Sequence, residues 1–334
     1  MKLSDAQLKV ALKYYGLSFA RLDFVQSGYR NTSHIVETST GLLCNLLVYK
    51  REEAIVERIQ RINALSSHLH DSGLPVRYPL DDRILRLKGV SRERYASLYS
   101  FEHGATIAWE MYSMKHIKLL GMAMSRLHGS AQTYGGEMPR VSDEYRLILE
   151  RMEHYFADPH IARAMQQKLS TTQTGSFYKL GALLDETDAL PNQQPLHLDF
   201  VRGNVLFRQA EEHDTLVVDG LALSGILDLE KAASGHPLYD LARTYAFLLV
   251  DCDKPPEKIH KYFLHSGYVK RGGGVANLFA GASNSRLFEQ LVTLFLFYDF
   301  YKFLRQNPYE SLSDNHHFVR TRDILIERKV LQLA

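Results

Sequence analysis

Up to about residue 105 the apolar residues come in short runs of strand length; beyond it they recur at helical spacing. The runs at 20–25, 33–38 and 42–49 are separated by turn residues at Ser27-Gly28 and Thr40-Gly41, which predicts three successive strands. Ahead of them, residues 4–13 read as an amphipathic helix capped by Ser4, with Leu8, Ala11 and Leu12 on its apolar side. A helix over 52–70 follows, then further strands over 77–80, 83–88 and 94–101. In the middle one of these, Leu85 and Leu87 alternate with Arg86 and Lys88. After Glu102-His103-Gly104 the period lengthens. Ile117, Leu119, Leu120, Met122, Met124 and Leu127 form a wide stripe on a helix expected over 109–132. Further helices are expected over 143–156, 161–169, 177–184, 241–249, 257–265, 287–305 and 319–333. The mostly polar stretch 209–214, between Phe207 and Leu216, reads as a hairpin turn.

Composition narrows the class. A chain of 334 residues is long enough for two separate cores. With 45% apolar and 23% charged residues it reads as a soluble globular protein, and a net charge of +2 supplies no basic field to recruit nucleic acid. Cys44 and Cys252 alone cannot build a disulfide scaffold or a cysteine-rich zinc site. No apolar run approaches a membrane span, and the first sixteen residues are interrupted by Lys2, Asp5, Lys9 and Lys13, so a cytoplasmic protein is expected. Oligomeric state is left open by the sequence.

The chemistry concentrates in His197-Leu198-Asp199-Phe200-Val201-Arg202-Gly203-Asn204 and in Ile226-Leu227-Asp228-Leu229-Glu230. A strand through the second stretch would turn Asp228 and Glu230 to one side. A carboxamide and carboxylates converging there offer hard oxygen ligands suited to Mg²⁺ and phosphates. Asp199 is then free to orient a hydroxyl nucleophile, which makes this the parts list of a phosphoryl-transfer site.

The pattern His197-x-Asp199-x4-Asn204, followed by Ile226-x-Asp228-x-Glu230 and by Gly235-His236-Pro237-Leu238-Tyr239-Asp240-Leu241-Ala242, resembles the aminoglycoside phosphotransferase, choline kinase and type II homoserine kinase group. That resemblance implies an α+β, protein-kinase-like fold: an N-terminal antiparallel sheet lobe over 1–98, a hinge over 99–104, and a mainly helical lobe over 105–334. It implies ATP between the lobes, Asn204 and Asp228 as Mg²⁺ ligands, and Glu230 as a second carboxylate of the metal site. Asp199 would be the base, His197 a brace for its loop, and Arg202 either a γ-phosphate contact or a surface arginine. Gly28-Tyr29-Arg30-Asn31-Thr32 is similar to the phosphate-covering loop of type II homoserine kinases, which nominates Gly28 and Asn31 for nucleotide binding. The main chain of Ser100 and Phe101 would meet the adenine edge.

The third strand departs from that pattern. The slot for the phosphate-binding lysine falls near Asn45 or Leu46, whereas Lys50 stands at the strand's end. On the following helix the partner glutamate's position falls at Ile62. Either Lys50 pairs with Glu57 through a shifted register, or the pair is missing. A missing pair leaves two classes in play, a small-molecule kinase and a nucleotide-binding pseudokinase or regulatory protein. Neither a P-loop nor a nucleophile elbow occurs, and Arg271-Gly272-Gly273-Gly274 reads as a linker.

The acceptor is expected to be a small hydroxylated molecule: an amino alcohol, a hydroxy amino acid such as homoserine, a sugar or an aminoglycoside. Residues 311–334 carry no acidic surplus for a polycation, which weighs against an aminoglycoside, while the likeness at 28–32 and 197–242 favours the first two. His128 reads as a structural histidine, and Asp240 as a tie between loop and helix. His236 reads as a surface or substrate residue, and Asp299 and Tyr298 as core or as lining of the acceptor pocket.

Overall fold

The computed structural model describes residues 2–27, 31–88, 93–173, 178–270 and 282–333. The chain opens on α1 (Asp5–Tyr14), where the Ser4 hydroxyl accepts from the Gln7 N–H and the Gln7 side chain accepts from the Ser4 N–H. This reciprocal cap satisfies two amide donors that a helix start otherwise leaves open. Strands β1 (Phe19–Ser27), β2 (Thr32–Thr38) and β3 (Leu43–Val48) follow, then α2 (Ile55–Asp71), β4 (Leu85–Leu87) and β5 (Arg94–Ser100). The five strands form one antiparallel sheet in the order β1-β2-β3-β5-β4. Strand period two divides β3 between the two faces. Cys44, Leu46 and Val48 pack with Leu8 and Leu12 of α1, while Leu47 and Tyr49 pack with Ile55 and Ile59 of α2.

The expected strand at 77–80 is reduced to an isolated bridge between Pro79 and Tyr99, since proline has no amide hydrogen to extend a ladder. The expected helix at 109–132 is split: Trp109–Met111 is a single 3₁₀ turn, and α3 (Met114–Ala131) starts afresh at Ser113. The chain continues through α4 (Val141–Phe156), α5 (Pro159–Leu169), β6 (Thr171–Gln173), α6 (Tyr178–Asp188) and β7 (Gln194–Leu196). A hairpin of β8 (Val205–Gln209), β9 (Val217–Val218) and β10 (Leu221–Ile226) comes next, and β11 (Ala233–Gly235) pairs with β7.

Helices α7 (Leu238–Asp251) and α8 (Pro256–Ile259) lead into a π-helical stretch, His260–Val269, then α9 (Ala282–Gln306) and α10 (His316–Glu327). Gly121 of α3 and Gly267 of the π-helical stretch let two backbones touch. A Cβ on Gly121 would stand 2.1 Å from the Phe263 carbonyl oxygen. The last expected helix stops at Glu327 rather than running on to 333. Lys329 takes a left-handed φ of 58°, and β12 (Leu331–Leu333) pairs with β6 instead. The glycine-rich 271–274 stretch lies outside the described residues. One continuous core runs through the helical part and reaches Leu65 and Leu69 of α2. The architecture is therefore α+β: an antiparallel sheet at the N-terminus and a mainly helical C-terminal part.

Candidate active site

Strand β7 delivers the chain to a short loop whose shape is set from beneath by Asp240. This carboxylate, in the first turn of α7, is buried; it accepts from the amides of His197 at 2.8 Å and Leu198 at 2.5 Å, and from His128 Nε2 at 3.1 Å. Burial works to raise its pKa, but His128, His197 and the amide donors outweigh it and hold the carboxyl below the usual range. Leu198 is pinned at φ 59°, a conformation costing a side-chain-bearing residue about 1–3 kcal/mol. Arg243 Nε, donating to the Leu198 carbonyl at 3.0 Å, and Thr244 Oγ1, donating to that of Phe200 at 3.0 Å, complete the anchorage. Local pattern reading finds neither, because their partners are main-chain atoms more than forty residues away.

His197 is fully buried and braces two segments. Its Nδ1 accepts from the Asp199 amide at 3.2 Å, and Nε2 donates to the Leu227 carbonyl at 3.0 Å. The Leu227 amide in turn donates to the Asn204 carbonyl at 2.8 Å. These contacts set Asn204 and Asp228 side by side. They also end β10 at Ile226, so Asp228 and Glu230 lie on a turn and not on the expected strand. Asp228 has a left-handed φ of 61°, and one of its carboxylate oxygens accepts from the Glu230 amide at 3.2 Å.

Asp199 stands between two donors. Lys231 Nζ lies 2.7 Å from Oδ1, and Asn204 Nδ2 donates to Oδ2 at 3.2 Å and to the Asp199 carbonyl at 2.9 Å. Burial alone would raise the Asp199 pKa. The Lys231 ammonium, with Arg243 and His197 behind it, reverses that and leaves the carboxyl below the ordinary range. Lys231 has no place in the sequence motifs; its position one residue after Glu230 is the only hint of it.

A cleft of about 630 Å³ opens over these residues, floored by Asp199, Asn204, Asp228, Glu230 and Lys231. Its roof is the sheet, with Asn31, Ser33, Asn45 and Leu47, its back wall carries Ser100, Phe101 and Glu102, and Arg77 lines it as well. Asn31 spans the two sides: Oδ1 accepts from the Lys50 amide at 2.9 Å, and Nδ2 donates to Glu230. Gly28 lies outside the described residues. The Ser100 amide is committed to the Tyr78 carbonyl at 2.9 Å, so from this residue only the carbonyl remains to face a ligand. Gly104 follows with φ +150°, where an added Cβ would lie 2.5 Å from Ser224 Oγ.

Lys50 is exposed at the end of β3, away from the cleft lining, and among the described residues no ion pair joins it to Glu57, which is exposed on α2. Asn45 occupies the strand position facing the cleft. Arg202 points elsewhere. It lines a second cavity, of about 950 Å³, with Trp109, Glu110, Asp251, Asp253 and Arg320. Asp299 is buried in α9, ion-paired with Lys302, and neither it nor Tyr298 lines either cavity. His236 is buried, not at the surface, and His128 is held between Tyr268 and Asp240.

The oxygens of Asn204, Asp228 and Glu230 suit a hard divalent cation that takes its remaining ligands from phosphate and water. With Asn204 Nδ2 turned to Asp199, its Oδ1 is left to ligate. Among the described residues no group of three His, Cys, Asp or Glu side chains forms a metal cage.

The chain is similar to known phosphotransferases. The chain is 29% identical over 252 residues to a homoserine kinase of Pseudomonas aeruginosa, covering 72% of this chain and 69% of that one. It is 25% identical over 242 residues to a homoserine kinase of Methylobacillus flagellatus, covering 72% and 67%. Among solved structures it resembles the amicoumacin kinase hAmiN in complex with AMP-PNP, Ca²⁺ and Ami, with a TM-score of 0.64 at 14% identity over 98% of this chain and 95% of the other. It also resembles a microcompartment-associated aminopropanol kinase, with a TM-score of 0.59 at 15% identity over 99% and 100%. A family model described as "Phosphotransferase enzyme family" matches residues 22–266. With most of its length inside that match, the chain belongs to this phosphotransferase family of small-molecule kinases with a protein-kinase-like fold.

Proposed function

We propose that this enzyme moves the γ-phosphate of ATP to the hydroxyl of a small amino-bearing acceptor, with a hydroxy amino acid such as homoserine favoured over a sugar or an aminoglycoside. The observation that carries the reading is Asp199, held between Lys231 and Asn204 and opening into the same cleft as Asp228 and Glu230. Adenine would lie against the main chain at Ser100 and Phe101, and the triphosphate would run toward Asn204. The lobe boundary we favour, residues 99–104, falls at that wall.

Asp199 accepts a hydrogen bond from the acceptor hydroxyl, fixes the angle of approach, and takes the proton as the oxygen–phosphorus bond forms and the bond from the γ-phosphorus to the bridging oxygen breaks, releasing ADP. Lys231 keeps the carboxylate ionised and aimed. Asn204, Asp228 and Glu230 would hold Mg²⁺, which when bound neutralises charge on the phosphates. His197 keeps Asp199 and Asp228 in fixed relation.

Two facts support the choice of acceptor. The relatives at 25% and 29% identity are named homoserine kinases. The cavity beside the catalytic loop carries both signs, Arg202, Lys254 and Arg320 against Glu110, Asp251 and Asp253, which suits a zwitterion better than a polycation. The test is ATP consumption by wild type and Asp199→Asn with homoserine, amino alcohols, sugars and aminoglycosides. Turnover on homoserine that vanishes in the variant is expected. Preference for an aminoglycoside would overturn the acceptor, and equal turnover in the two proteins would overturn the base.

A further inference from the structure

The strand-three position that should present a cation to the nucleotide phosphates holds Asn45, and its carboxamide oxygen is buried without a hydrogen-bond partner. Directly opposite it on β5 stands Tyr99. The Tyr99 hydroxyl meets Tyr49 Oη at 2.5 Å and donates to Asn63 Oδ1 of α2 at 2.6 Å. Asn63 follows Ile62, the expected place of the partner glutamate. A neutral Tyr49–Tyr99–Asn63 network thus ties strand to helix where the family pattern would place a lysine–glutamate pair.

Removing that pair takes a cation out of the cleft, and one is returned from another element. Arg77 lines the cleft with its guanidinium 4.9 Å from the Tyr99 ring centroid. It makes no ion pair with any described carboxylate. Its main chain is fastened to the strand that leads to Asp228: the Arg77 amide donates to the Ile226 carbonyl at 3.0 Å, and the Ile226 amide donates to that of Pro75 at 2.6 Å. Glu230 and Arg77 both act electrostatically on Tyr49 and Tyr99, so the arginine and the metal-side carboxylate flank one patch. A guanidinium held over an aromatic face in the lining of a cleft is a preorganised phosphate fork.

We infer that Arg77, positioned by Tyr99 and by the Ile226 main chain, is the nucleotide-phosphate clamp of this enzyme in place of a strand-three lysine. The inference rests on the nucleotide reading above. Lys50 is then dispensable as a clamp.

The test is equilibrium titration of the full chain with ATP·Mg²⁺ and, separately, with adenosine, which has no phosphate. Losing a charge-assisted contact should weaken ATP binding by Arg77→Met about tenfold to a hundredfold while moving adenosine less than about threefold. Arg77→Lys should keep most of the ATP affinity. Asn45→Lys added to Arg77→Met should recover most of the loss, because it returns a cation to the same cleft from strand three; a merely structural role for Arg77 would not respond to this. If Arg77→Met does not fold, Arg77→Gln, which keeps a stem over Tyr99, carries the same comparison. Wild-type ATP affinity in the Arg77 variants would overturn the clamp, as would equal losses for ATP and adenosine, or the loss falling on Lys50→Met instead. A wild-type chain that binds adenosine and ATP equally overturns the clamp alone. One that binds neither overturns the nucleotide reading with it.

Discussion

Lys231 Nζ lies 2.7 Å from Asp199 Oδ1, so the proposed base is met by an ammonium from the turn that also carries Asp228 and Glu230. The acceptor hydroxyl must find its place beside that pair. Asp199→Asn keeps the shape and removes the proton acceptor, and kcat is expected to fall by about 10²–10⁴ with ATP affinity within a few-fold of wild type. Lys231→Met removes the charge that aims the carboxylate, for an expected loss in kcat of about tenfold. Steady-state rates and nucleotide titration on both variants check this. A kcat at or above wild type in Lys231→Met would show that the lysine obstructs the base instead of aiming it.

Asp240 spends its carboxylate on three donors, the amides of His197 and Leu198 and His128 Nε2. Asp240→Asn replaces one acceptor oxygen by an NH₂ group that must face a donor in this buried place. The expected cost is about 3 kcal/mol of stability, seen as a fall in Tm of several degrees. Leu198 would also be released from its φ of 59°, so kcat should drop even at temperatures where the variant is folded. Stability equal to wild type by thermal and urea unfolding would rule out this anchoring role.

The residues around Asp199 were legible because their chemistry is written in consecutive positions: a histidine, a carboxylate and an amide at fixed spacing, then two acids near a strand's end. The sheet was legible from its two-residue period and turn residues. What escaped is what only the fold brings together. Lys231 and Arg243 reach Asp199 and Leu198 across 32 and 45 positions, and nothing local marks either. Arg77 sits in an unremarkable stretch before a proline and gains meaning only from Tyr99 and Ile226. The last helix was over-extended because the apolar pattern at 319–333 fits a helix locally, while pairing with β6 decides its final residues. Asp228 was expected on a strand because sequence shows the alternation but not the His197 ring that claims the Leu227 carbonyl.

Gly104 closes the cleft's back wall at φ +150°, packed so that an added Cβ would lie 2.5 Å from Ser224 Oγ and 3.1 Å from the Phe207 carbonyl oxygen. Gly104→Ala must therefore distort the segment after β5 or the β8–β10 hairpin. The expected cost is about 1–3 kcal/mol, with weaker binding of adenosine as well as ATP, since the damage lies at the adenine wall. Adding Ser224→Ala should relieve only part of it, because the backbone angle stays unfavourable. Unchanged adenosine affinity in Gly104→Ala would mean that this wall does not hold the base.

His236 lies buried at the start of the segment leading into α7, its Nδ1 accepting from the Leu238 amide at 3.3 Å. Burial, with His128 nearby, pushes its pKa down to about 4. An unfolded chain titrates this histidine near 6.5, so between about pH 6.5 and 4 the unfolded state binds the extra proton and the folded state does not. Stability contributed by this site is therefore fully present above pH 6.5 and is lost as pH falls toward 4. His236→Gln keeps an acceptor for the amide and removes the titration. Wild type should lose about 2 kcal/mol more than the variant between pH 7 and 4.5, measured by urea unfolding at each pH. Parallel stability curves for the two proteins across that range would show that the folded protein accepts the His236 proton as readily as the unfolded chain does.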